Sequence, residues 1–146
     1  EDFTGDGLSE ILIPYNLAPS HENFNYYCLK LGKNRMQPIL GFEELTHPEF
    51  DKKTKTIHTL HGGGIGNYLA SEFKLENDQL KEIKKIRSSS APSETSEVGY
   101  VQVIETFKIQ NGNSNLVKVD SIVGLNNYLP PFWETFFNQL EKHTMR

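Results

Sequence analysis

Cysteine is almost missing from this chain: its 146 residues hold one, Cys28. A single thiol excludes an internal disulfide and any cysteine-based zinc cluster, and it leaves the redox compartment open. Its apolar neighbours make it a core residue. Basic residues are also outnumbered, with 15 Lys and Arg against 19 Asp and Glu and a formal net charge of −4. That balance argues against a nucleic-acid surface or an anionic membrane as the main partner. No run approaches the ~18 continuous apolar residues of a membrane span, and the first residues are acidic, so no signal peptide is visible either. What remains is ordinary: 36% apolar and 11% aromatic residues supply a core, and the length suits one domain over residues 1–146.

The densest chemistry lies at the start, in "EDFTGDGLSEILIPY". Oxygen donors stand at Asp2, Thr4, Asp6 and Glu10, and Gly7 follows the third of them. Ca²⁺ takes six to eight oxygens at about 2.3–2.6 Å, which a short loop supplies by curling so that alternate side chains converge. The glycine permits the sharp turn, and Leu8 after it can offer its carbonyl. A helix-loop-helix site would need a bidentate Glu at the twelfth loop position, where this chain has Ile13. A loop entering a β-strand therefore replaces the EF-hand as the expectation. The alternative is an Asp- and Gly-rich turn with no metal, because these residues favour turns for backbone reasons alone.

The rest of the chain predicts strands. Ile11 and Ile13 share one face of the first, with Leu12 on the other and Pro14 limiting the run. "FNYYCLKL" is apolar enough to be central and buried on both sides, and Pro38 marks "MQPILGFEEL" as an edge. A turn at Asp51-Lys52-Lys53 precedes a strand from Thr54 to His61 with Ile57 inward. Two further strands join at Asn77-Asp78, and two more at Asn111-Gly112, a strong hairpin signal. "SSSAPSETSE" is read as a mobile polar loop. In "PPFWETFFNQLEKH" the period changes: Phe132, Trp133, Phe136, Phe137 and Leu140 recur at helical spacing, with Pro131 in the first turn and Lys142 and His143 in the last. The expected fold is mainly β, with antiparallel sheets and a short C-terminal helix on which the aromatic stripe packs against the sheet.

No catalytic constellation emerges. Glu43 and Glu44 are adjacent and diverge on a strand, unlike the opposed pair of a glycosidase. No serine occupies a strand-to-helix elbow. "HGGGIGN" is not followed by the helix that a phosphate loop requires. His58 and His61 lie three apart, on opposite faces of a strand, so solvated or core histidines are a better reading than metal ligands.

The opening loop resembles the calcium loop of the FG-GAP and VCBS type, DxNxDGxxD followed by a strand, with Thr4 for the Asn and Glu10 for the last Asp. "FNYYCLKL", "HPEFDKKTKTIHT", "HGGGIGNYLASEFKL" and "ENDQLKEIKKI" extend the resemblance to about residue 86, toward small bacterial envelope proteins of that superfamily. The resemblance implies a VCBS-like, propeller-blade-like β domain holding a structural calcium in the periplasm or cell envelope. Some members of that group are immunity proteins or inhibitors of lysozyme-like peptidoglycan hydrolases. Because the chain opens inside a motif, residues upstream of Glu1 are expected.

The resulting expectation is a non-catalytic protein that binds Ca²⁺ and a protein partner. The glycine segment, His61, Gly63, Gly64, Asn67 and Tyr68, is the candidate partner surface, because bare backbone enters a narrow cleft at little steric cost. The alternative is an FG-GAP-like adhesion module, with an enzyme of unknown class third. A propeller needs several loops at a regular period, and one DxxxDG occurs here.

Overall fold

The computed structural model describes all residues except 1, 5, 18–23, 63–65, 95, 98, 124–128 and 145–146, together with the backbone but not the side chains of 16, 17, 24 and 140–144. The protein is mainly β, with two antiparallel sheets and one C-terminal helix. Strands β1 (Ile11–Leu17), β2 (Phe24–Leu31) and β3 (Met36–Pro38) form a three-stranded sheet in that order. A six-stranded meander follows: β4 (Glu49–Asp51), β5 (Thr56–Gly62), β6 (Tyr68–Glu76), β7 (Gln79–Pro92), β8 (Tyr100–Gln110) and β9 (Asn113–Val123). Helix α1 spans Pro131–Thr144.

Turn chemistry sets the long hairpins. Asn77 and Asp78 have φ of 51° and 64°, and Asn111 and Gly112 have 51° and 76°. Two successive left-handed residues match the twist of the flanking strands, and Asn, Asp and Gly tolerate them best. Pro14 does not end β1. It sits on an edge strand next to a register shift between Pro14 and Asn16, where a missing N–H costs little.

Two apolar clusters hold the sheets. The first gathers Phe3, Cys28, Ile39, Phe42, Leu45, Ile57 and Leu80, from both sheets and the segment between them. That segment contains one 3-10 turn, Phe42–Glu44. Leu40 N–H donates to the Asp78 carbonyl and Leu80 N–H to the Leu40 carbonyl, each at 2.9 Å, so the β6–β7 turn is tied to it by backbone. Lys30 and Asp78 form an ion pair at the same junction. The second cluster, Ala70, Ile86, Ile104 and Trp133, lies between the larger sheet and α1.

Further expectations are corrected, beginning with Glu43 and Glu44, which lie in the 3-10 turn and not on a strand. Strand β2 is central, as its composition suggests, but it is buried on one face only. Cys28 points inward with Leu12 and Tyr26, whereas Tyr27 and Leu31 are exposed beside Ile11, Ile13 and Met36. Tyr15 stacks on Tyr27 at 4.4 Å between ring centres and donates its hydroxyl to the Glu43 carbonyl at 2.6 Å. The polar run "SSSAP" is not a loop either: Ser88–Pro92 pair with Tyr100–Ile104 as the end of β7. Serine has no preference for strands, and the ladder to β8 overrides that weak prior.

Candidate functional site

The opening loop is folded around its own carboxylates. Asp2, Asp6 and Glu10 each present an oxygen such that all three lie within 4.8 Å of one another. Backbone donors set their directions: Gly7 N–H reaches Asp2 Oδ2 at 2.9 Å, and Leu8 N–H reaches Asp6 Oδ1 at 2.8 Å. The Thr4 hydroxyl donates to Glu10 Oε1 at 3.0 Å and lies 3.4 Å from Asp2 Oδ1, so it bridges the two carboxylates. Gly7 has φ of 90°, the conformation for which glycine is suited. Asp2, Thr4, Asp6 and Glu10 are thus brought together, and Leu8 joins them through its N–H.

Burial distinguishes this loop from a surface turn. Glu10 is only 6% exposed, while Asp6 and Leu8 face solvent. Glu10 accepts from Phe3 N–H and from Thr4, and it has no salt bridge among the described residues. Between Asp2 and Thr4, Phe3 plunges into the first core, edge-on to Phe42 at 5.1 Å and to Phe50 at 6.3 Å. The loop is therefore anchored to the hydrophobic cluster by its own second residue in the described run. Three carboxylates held this close, one of them buried, form a hard-oxygen donor set that could hold a metal ion.

The glycine segment is a second feature. Gly63 and Gly64 lie outside the described residues. His61, next to last in β5, is exposed, and Asn67 is exposed with its Oδ1 accepting from Ser90 N–H at 3.2 Å. Tyr68 packs instead against the second core. Gly66, with φ of 74°, has its carbonyl gripped by Ser88 Oγ at 2.7 Å, and the Gln102 amide donates to Ser88 Oγ at 2.7 Å. A Cβ on Gly66 would come within 3.1 Å of Ser90 Oγ. Ser88 and Gln102 are both buried. Sequence reasoning missed this polar support. The one available signal was a glutamine amid the alternating valines of β8.

The histidines separate as strand geometry requires. His58 faces α1, stacked on Phe132 at 3.9 Å and bonded to Thr56 Oγ1 at 2.9 Å, whereas His61 is on the other face. Burial is the main cause that pushes the His58 imidazole below its ordinary value. Cys28 is buried and its thiol is pushed up to about 12, chiefly by burial, so it is an inert core group. No helix is long and apolar enough to cross a membrane among the described residues. Comparison with protein-family models, curated proteins and solved structures finds no match.

Proposed function

We propose that this is a Ca²⁺-stabilised binding protein of the bacterial envelope that inhibits a peptidoglycan hydrolase and has no catalytic activity of its own. The observation that carries the reading is the buried Glu10 facing Asp2 and Asp6 with no salt bridge among the described residues. A cation held by Asp2, Thr4, Asp6, Glu10 and the Leu8 carbonyl relieves their mutual repulsion. Because Phe3 joins the loop to the first core, relief of that repulsion stabilises the fold. The hydrolase partner rests on the family resemblance of the opening loop and following strands. The net charge of −4 supports it, since attraction to a basic enzyme raises the association rate. On the partner surface His61 and Asn67 are exposed beside the glycine segment, with Ser88 and Gln102 holding Gly66 from below.

Calorimetric and thermal titration with Ca²⁺ tests the first half. At a hundredfold excess over the dissociation constant, binding adds about 2.7 kcal/mol, so the melting temperature rises by several degrees and a chelator reverses it. Asp6→Ala should abolish that response; an unchanged melt with chelator and a variant like the parent would reduce the loop to a turn. The second half is tested by turnover of peptidoglycan by lysozyme-like enzymes with the protein added. Inhibition should weaken in His61→Ala and Asn67→Ala, and its absence across basic hydrolases in Ca²⁺ would remove the inhibitor reading while leaving cation binding intact.

A further inference from the structure

The six-stranded sheet ends differently on its two sides. One edge is β4, three residues long, and the other is β9, eleven residues long. Short edges resist pairing with another chain, while long ones offer a row of backbone donors and acceptors. Proline and unbalanced charge are common defences of a long edge. Strand β9 has no proline, and its two charges, Lys118 and Asp120, are opposite in sign and 2.9 Å apart. Val117, Val119 and Val123 are 58, 56 and 64% exposed.

The order of these residues is self-complementary. If two copies of β9 pair antiparallel about a two-fold axis at Val119, residue 118 of each faces 120 of the other, and 117 faces 121. Lys118 then meets Asp120 twice. Asp120 pairs with Ile104 in its own sheet and Val119 with Glu105, so the charged contacts fall on the α1 side and the two Val119 side chains meet on the opposite side. Moving the axis by one residue places Lys118 opposite Lys118 or Asp120 opposite Asp120, which is destabilising. Of the axes at 118, 119 and 120, the one at Val119 alone sets opposite charges face to face. We propose that β9 is a dimerisation edge that pairs antiparallel with β9 of a second copy of this chain, joining the two sheets across an isologous interface. The register shift beside Phe107 leaves Val117 as an extra residue and confines regular pairing to residues 117–121, so the dimer is a modest one.

Sedimentation equilibrium of the full chain tests this with Lys118→Asp and Asp120→Lys. Each variant places like charges opposite each other across the axis and should be monomeric, while the mixture of the two should form a heterodimer because opposite charges then face each other at both positions. Val119→Lys, at an exposed position, should also be monomeric, and melting curves verify that each variant is folded. A parent protein that stays monomeric up to about 1 mM, single variants that dimerise like the parent, or a mixture that stays monomeric beside a dimeric parent would each overturn the proposal.

Discussion

The two cores of this protein are closed in different ways. Around Phe42 the apolar set is larger and is drawn from the opening loop, both sheets and the segment between them, with the buried Glu10 at its margin on Phe3 N–H. Around Trp133 the apolar set is small, one side is a single helix, and polar groups share the interior: Gln102 is fully buried, and its Oε1 and Trp133 Nε1 have no hydrogen-bond partner among the described residues. A cavity of about 110 Å³ adjoins it, lined by His58, Ala70, Glu72, Lys84, Phe132 and Trp133. Burying a polar atom without a partner costs free energy that apolar packing must offset. The first core is thus the part that fixes the fold, and the second docks a helix onto a sheet that hydrogen bonds already define.

The largest effect should come from emptying the first core. Phe42→Ala removes a fully buried ring and should cost about 3–5 kcal/mol, read as a fall in denaturation midpoint. Because Phe42 meets Phe3, it should also blunt any response of the melt to Ca²⁺. If Phe42→Ala left that response whole, the opening loop and the core would be uncoupled. Trp133→Ala should cost less, about 3 kcal/mol, because part of the lost packing is offset by removing a buried N–H. Its signature is local: hydrogen exchange should speed up in α1 while β6 to β8 stay protected. Equal loss of protection everywhere would mean that the two cores melt as one.

Acid should separate the cores further. Burial lowers the His58 pKa below 6.5, so the unfolded chain takes up this proton first as pH falls. The stability contributed by the neutral ring is complete above pH 6.5 and is lost as pH falls through that value toward the depressed folded one. Glu72 and Asp51 partly oppose the shift and Lys84 reinforces it. A pH series of melting curves should show this loss in the parent and a flatter profile in His58→Gln; identical profiles would exclude His58 as the source. The smallest effect is expected at Arg87, which pairs with Glu105 at 2.6 Å and lies 5.6 Å from the Phe107 ring centre. It belongs to neither core, so Arg87→Ala should change stability by under about 1 kcal/mol. A larger loss would reveal a third centre of stability on that face.

Local rules carried much of the architecture. Paired left-handed turn residues at 77–78 and 111–112 placed the long hairpins, the spacing of Phe132, Trp133 and Phe136 placed a helix and its inner face while Phe137 of the same stripe is exposed, and alternate oxygens around Gly7 placed the acidic cluster. Each of these signals is a backbone torsion or a side-chain period, and such properties are written within a few neighbouring residues. Coverage is not local. Tyr27 and Leu31 have the composition of buried residues, and they are exposed because the three-stranded sheet packs on one side only. Ser88–Pro92 have the composition of a loop, and they are a strand because Tyr100–Ile104 lie alongside. Gln102 is hidden while Val117 and Val119 are not, because Gln102 has Ser88 to bond and those valines stand on the sheet's outermost strand. Neighbouring residues set where the chain turns, which segments extend and where acidic oxygens gather. Which faces are covered was left to long-range packing, since burial depends on what a distant segment brings against them.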